Sequence, residues 1–273
     1  MRPPRADIAA PELPPRVRWL GSTPPSMAEL TAAGPVLVHF FDFAQLNSVR
    51  ALPYVRAWHG RYADAGLTVL GVHSPRFRFT ATREALASGL HRLQIPYPVA
   101  QDSAYAIWKD YGVKGWPSLF LWGAGGALSY THLGEGEYRA TEEAIQDELR
   151  GLDALAELPE PMTPLRPSDG PGALVAPPTP ELFPGGSETE PWRPANPHDA
   201  LEIEYAAGGA YAALDGEGAL RFALDGGAEG IVAVGAPGLY KLAEHPRHER
   251  HALTLRAGEG VELYAVSFAA GMP

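Results

Sequence analysis

The stretch HPRHERH places His245, His248 and His251 within seven residues. Imidazole is a common ligand for zinc, copper and nickel, so three so close together raise the question of a metal centre. The same stretch contains Pro246, and the guanidinium groups of Arg247 and Arg250 repel a cation. It joins two apolar alternating runs, so a solvated loop without a metal is expected, and Glu249 does not alter that balance. A second candidate is Ser48, with His39 and His59 nearby in sequence and Asp42 as the nearest carboxylate. A hydrolytic set needs a base in hydrogen-bond reach of the hydroxyl and an acid to orient the base. His39 sits in a run that reads as a buried strand, His59 lies well down a helix, and no G-x-S-x-G elbow surrounds Ser48. The expected role of Ser48 is a helix-start hydroxyl that bonds backbone donors. Gly123, Gly125 and Gly126 lie between two strands and open no helix, so phosphate binding has no structural basis. The acidic GEGEY from Gly134 to Tyr138 lacks the spaced oxygen ligands of a calcium loop.

What is missing excludes more than what is present suggests. The 273 residues include no cysteine. Disulfides, thiolate metal ligands and thiol nucleophiles are excluded together. The formal net charge of -10 disfavours attraction to phosphate backbones and anionic lipid, so no nucleic-acid partner is expected. No apolar run approaches the roughly 18 residues of a membrane span. The amino-terminal MRPPRADIAAPELPPR has basic residues but no apolar stretch after them, so it does not read as a secretory signal. A cytoplasmic protein without metal or cofactor is the expectation on these grounds.

The elements that would position these residues follow from periodicity. Pro35 to Phe41 (PVLVHFF) is a continuous apolar run and reads as a central strand buried on both faces. A helix from about Leu46 to Tyr62 follows, with a kink expected at Pro53, and then a second buried strand over Leu67 to Val72. Two buried strands joined by one helix make a right-handed parallel unit. Thr80 to Leu93 is amphipathic and reads as a helix. Pro98 to Gln101 is extended, and Ala104 to Tyr111 is a short helix. Ser118 to Trp122 and Leu128 to His132 form a hairpin. Thr141 to Leu152 closes the domain as a helix with Thr141 as its N-cap. Pro159 to Pro197 is crowded with proline, glycine, serine and threonine and reads as an extended linker able to lie across another surface, in which Trp192 is expected to plug between domains. From Asp199 onward, short alternating runs separated by turn residues read as a small β-sandwich or barrel.

These segments resemble the thioredoxin-fold portion of the TlpA and DipZ group, with the β-rich domain often attached to it. The resemblance rests on RALPYVRAW (Arg50 to Trp58), GVHSPRFRF (Gly71 to Phe79), LQIPYPVAQDSAYAIWKDYGVKGWPSLFL (Leu93 to Leu121) and HLGEGEY (His132 to Tyr138). It continues in LYKLAEHPRHERHALTLRAGEGVELYAVSF (Leu239 to Phe268). It implies an α/β thioredoxin-like domain over residues 1–158, a linker over 159–198 and an all-β, jelly-roll-like sandwich over 199–273. It places the two redox positions on Gln45 and Ser48, the cis-proline loop on Trp116-Pro117, the helix-kinking proline on Pro53, and the buried acid on His39. The attacking sulfur, the resolving sulfur and the acid are all replaced.

Thiol-disulfide exchange needs a thiolate. Gln45 has no ionisable nucleophile, and the Ser48 hydroxyl is a far weaker acid than a thiol. The expected function is therefore binding or scaffolding without redox catalysis. A groove walled by Asp42, Phe43, Gln45, Trp116 and Pro117 would take a protein, an extended peptide or a second copy by strand addition and an aromatic anchor. A vestigial groove in which Trp116 merely packs stands beside that reading. Two other classes remain: a redoxin by descent with a non-thiol activity, and a carbohydrate-binding module on an inert scaffold. Against the last, Tyr205, Tyr211, Phe222, Tyr240, Tyr264 and Phe268 alternate along strands as core residues do.

Overall fold

The structure is a computed structural model that describes residues 8–196 and 198–273. The first seven residues of the amino-terminal segment read above as lacking a signal, and Pro197 at the end of the expected linker, lie outside the described residues. The chain divides into two compact units. The first takes in residues 8–42, Asn47–Pro75 and Leu90–Leu165, and the second takes in Phe43–Leu46, Arg76–Gly89 and Arg166–Pro273. In chain order the elements of the amino-terminal half are β1 (Arg18–Leu20), α1 (Met27–Ala33), β2 (Val36–Phe41), α2 (Leu46–Tyr62), β3 (Thr68–His73), α3 (Arg83–Arg92), β4 (Val99–Gln101), α4 (Ala106–Asp110), β5 (Ser118–Trp122), β6 (Leu128–Leu133) and α5 (Tyr138–Leu152).

Six strands make one sheet in the order β1-β4-β3-β2-β5-β6. β2, β3 and β4 run parallel, as continuous apolar runs predict, and β5 returns antiparallel against β2. All six residues of β2 are buried. Phe40, Val38, Leu70 and Val72 share one core with Ile107, Tyr111 and Trp122. Pro53 lies inside α2. The expected hairpin joins β5 to β6 in register from Ser118 opposite Leu133.

Two boundaries differ from expectation. The run predicted as one helix from Thr80 begins as a single 3₁₀ turn over Arg78–Thr80, and α3 starts only at Arg83. Thr141 is not an N-cap. α5 begins three residues earlier, after Glu137, and the Thr141 hydroxyl donates back to the Glu137 carbonyl at 3.0 Å. A threonine inside a helix does this when its hydroxyl is buried and has no water to bond.

The second unit holds β7 (Leu201–Gly216), β8 (Gly218–Leu224), β9 (Glu229–Val234), β10 (Gly238–Ala257) and β11 (Val261–Ala269), all antiparallel, in the order β11-β7-β10-β8-β9. β8 also packs against β11, although two strands separate them in the hydrogen-bonded order. The sheet therefore folds over itself as a β-sandwich. Its core draws Ile203, Tyr205, Leu220, Leu253, Leu263 and Phe268 onto one side. Bulges interrupt β10 and β11, which is how long strands bend.

Three features of this unit extend or correct the linear reading. The proline-rich segment lies across the surface of the β unit. Leu182 pairs with Val266 and Trp192 with Leu263, and both side chains pack on the β core. Trp192, expected as a plug between domains, packs within the second unit. Proline lacks a donor, so such a segment attaches through single bridges and cannot add a full strand. Arg76–Gly89 also joins this unit, because Phe79 packs on Tyr264 with ring centroids 4.5 Å apart and Arg76 pairs with Glu181 at 2.5 Å. Finally, HPRHERH is not a loop between strands. It lies inside β10, across a bulge.

Gly89 in α3 supplies a test of packing. A Cβ placed there would lie 2.6 Å from the ring of Phe43, which is fully buried. Helix propensity alone favours alanine over glycine by about 1 kcal/mol. The clash reverses the sign, so Gly89→Ala is expected to destabilise the protein by about 1–3 kcal/mol, read as a lower urea midpoint at unchanged slope.

Candidate functional site

The residues at the start of α2 are enclosed. Gln45 immediately precedes the helix and Ser48 lies in its first turn, and they are 8% and 0% exposed. The Ser48 hydroxyl accepts the backbone N–H of Asp42 at 3.3 Å, meeting a buried donor that would otherwise cost stability. Asp42 and Phe43 are buried as well. Of the residues expected to wall a groove, Asp42, Phe43, Gln45 and Pro117 are thus withdrawn from the surface, and Trp116 is half-buried.

His39 forms no hydrolytic pair. Neither ring nitrogen has a hydrogen-bond partner, and the ring stacks on Phe41 with centroids 5.0 Å apart. Burial pushes its pKa down to about 3, so it is neutral at physiological pH. His59 is partly buried with a lowered pKa, and its ring meets the edge of Tyr97 at 5.7 Å. His73, at the end of β3, is the imidazole that approaches a carboxylate. Its Nε2 stands 4.0 Å from Asp42 Oδ2. Burial pulls its pKa down to about 4, and the negative charge of Asp42 opposes this only in part. A neutral imidazole facing a carboxylate gives no activated nucleophile.

The best-defined constellation centres on the Trp116-Pro117 loop. The Trp116–Pro117 peptide bond is cis. The loop is closed by Ser118 Oγ donating to the Gly115 carbonyl at 2.7 Å and by Gly134 N–H donating to the Pro117 carbonyl at 2.8 Å. The Trp116 indole N–H donates to the Ser74 carbonyl at 2.8 Å. The Ser74 hydroxyl in turn donates to Asp102 at 3.0 Å. That carboxylate also accepts the amides of Ile107 and Trp108 at 3.1 and 3.0 Å, which starts α4. α4 then brings Trp108 against Trp116 at 4.5 Å between centroids, and the Tyr105 ring meets Trp116 edge-on at 6.4 Å. The Tyr105 hydroxyl donates to the Pro75 carbonyl.

The result is a half-buried aromatic shelf of Tyr105, Trp108 and Trp116, with the Tyr105 hydroxyl and the Trp116 indole N–H turned inward. Beside it Leu133 is 56% exposed, and a Cβ on Gly115 would sit 3.3 Å from its side chain. Such a surface can take an apolar or aromatic side chain by stacking and burial. It carries no general acid or base. Sequence reasoning singled out Trp116 and Pro117 but missed Tyr105, Trp108, Ser74 and Asp102. The run QDSAYAIW held a usable signal: an aspartate just before a short helix, followed by two aromatics three residues apart.

No family profile matches the chain. Protein DipZ of Mycobacterium bovis is 26% identical over 299 aligned residues, covering 95% of this chain and 42% of DipZ. NHL repeat-containing protein 2 of Homo sapiens is 30% identical over 132 residues, covering 48% of this chain and 18% of that protein. The chain thus spans less than half the length of the curated relatives it matches. Among solved structures, a thiol-disulfide isomerase from Corynebacterium glutamicum is similar with a TM-score of 0.45 and 23% identity, over 51% of this chain and 96% of that one. The strand order of the amino-terminal sheet and its cis-proline loop make a thioredoxin-like fold, and the chain is similar to protein DipZ along 95% of its own length. It lacks the cysteines of a thiol-disulfide site. Among the described residues, no helix is long and apolar enough to cross a membrane.

The two buried imidazoles set a pH dependence. His39 and His73 titrate near 3 and 4 in the folded chain, below the ordinary histidine value of 6.5. The unfolded chain therefore binds more protons as pH falls through about 6.5, and stability drops with it. The stabilisation is complete above about pH 6.5 and is lost towards pH 4. Each histidine is expected to cost about 2 kcal/mol between pH 7 and pH 5. His39→Phe, which keeps a ring against Phe41, should remove about half of that loss in urea titrations at the two pH values.

Proposed function

We propose that this chain is a cysteine-free thioredoxin-like binding protein that holds an extended peptide or a partner protein at the Trp116-Pro117 loop without thiol chemistry. The observation that carries the reading is the fixed aromatic shelf. The Tyr105 hydroxyl and the Trp116 indole are held by hydrogen bonds to the Pro75 and Ser74 carbonyls, the Trp108 backbone amide is bonded to Asp102 while its ring packs on Trp116, and all three stay half-buried next to the exposed Leu133. A preorganised aromatic surface loses little entropy on binding. Its centre suits one apolar side chain of the partner, with the neighbouring backbone contributing strand-like contacts. The burial of Gln45 moves the proposed contact away from the redox positions and towards the loop and Leu133.

Two measurements test this. In insulin reduction with dithiothreitol, the protein is expected to add no rate above the reagent alone, because no atom of the chain can form the mixed disulfide. A clear acceleration by purified chain would refute the non-redox reading. Binders selected from a displayed library of random peptides are expected to share an apolar anchor. They should weaken at least about tenfold on Leu133→Asp, a change at an exposed position that leaves the shelf's hydrogen bonds intact. Peptides that bind Leu133→Asp and Trp116→Ala as tightly as the unchanged chain would place binding elsewhere.

A further inference from the structure

In a regular strand His245 and His251 would lie about 20 Å apart, six residues at about 3.3 Å each. Their rings instead stack with centroids 3.8 Å apart. The bulge in β10 is the cause. From Glu244 to Glu249 the strand advances five residues (249 − 244), while its partner β7 advances two, from Gly209 to Ala207 (209 − 207). The three surplus residues fold His245 back over His251. Ligand atoms of His245, Glu249 and His251 then all lie within 4.8 Å of one another.

Each ring has one nitrogen held by a neighbour. Asp225 Oδ2 stands 2.7 Å from His251 Nδ1, and the Tyr205 hydroxyl stands 2.7 Å from His245 Nε2. Asp225 is itself fixed, because its other carboxylate oxygen accepts the Ala252 amide at 2.8 Å. A histidine oriented by a carboxylate on one nitrogen offers the other to a metal. His251 Nε2 is buried and has no hydrogen-bond partner, yet it faces Glu249 Oε2 at 3.5 Å. A proton on the nitrogen or a metal ion between the two atoms would each make that approach favourable. Tetrahedral zinc, with bonds of about 2.1 Å, sets neighbouring ligand atoms about 3.4 Å apart. An open cleft of about 470 Å³ is lined by His251, Asp225 and Tyr205.

We propose that His245, Glu249 and His251 bind a divalent first-row transition ion, with zinc the best match, and that Asp225 and Tyr205 orient the two imidazoles. Three protein ligands leave a fourth position for water or for a donor group from a ligand in the cleft. The same distances have a simpler explanation, a proton on His251 Nε2 held by Glu249, and the experiment must separate the two.

Tag-free protein stripped with a chelator is titrated with zinc alone against a chromophoric competitor. One equivalent is expected to bind with a dissociation constant of about 1 µM or tighter. Glu249→Gln, at an exposed position, and His251→Gln should each weaken binding at least about tenfold, and Asp225→Asn should weaken it about 10–100-fold through ring orientation alone. The unchanged protein should also melt at a higher temperature with zinc than without it. Failure of the unchanged protein to take up one equivalent would overturn the proposal in favour of the proton. Binding that Glu249→Gln and Asp225→Asn leave unaltered would overturn it as well.

Discussion

A buried carboxylate is tolerated only when donors surround it, and Asp102 shows how much structure one such requirement can organise. It is nearly inaccessible to solvent and collects the Ser74 hydroxyl and the amides of Ile107 and Trp108. Its own amide donates to the His73 carbonyl at 2.9 Å. The end of β3, the start of α4 and, through the Ser74 carbonyl, the indole of Trp116 are thereby referred to one group. Losing any of these donors would leave a charge or a carbonyl unsatisfied in a low-dielectric setting, which costs more than the bond itself contributes. The position of the loop before Pro117 is a consequence of that accounting.

In this cysteine-free chain the region at the start of α2 is ordinary interior. Gln45 and Ser48 are enclosed, and Ser48 serves a backbone amide. Two imidazoles are buried uncharged, one stacked on Phe41 and one facing Asp42. None of these groups is both accessible and chemically activated, and catalysis needs both. The surface that remains presentable is aromatic and apolar.

The β unit handles its own constraints differently. Its strands are too long to stay flat, and bulges bend them until the sheet closes on one core. The proline-rich segment before it covers β11 with single bridges at Leu182 and Trp192. Proline cannot supply the repeated donors of a strand, so attachment falls to isolated residues whose side chains reach the core. The same bending in β10 gathers His245, Glu249 and His251.

Much of the frame was legible before any coordinates. The apolar run PVLVHFF reads as a strand because it is too short for a buried helix and carries β-branched and aromatic residues, and all six residues of the strand it forms are buried. The hairpin from Ser118 to Leu133 follows from two alternating runs around a glycine turn. The exclusion of thiol chemistry needed only the residue count, since an absent element cannot be restored by folding. Trp116 and Pro117 were found through resemblance. The partners that give them meaning were not, because Ser74 and Asp102 lie 42 and 14 residues before Trp116 and meet it only through the fold (116 − 74, 116 − 102). HPRHERH read as a loop because its composition is polar, whereas pairing with β7 makes it strand and a bulge folds it back. Local periodicity records which face of an element seeks the core. Register, bulges and long-range hydrogen bonds are settled only when whole elements compete for the same partners, and those decided which residues of this protein stand together.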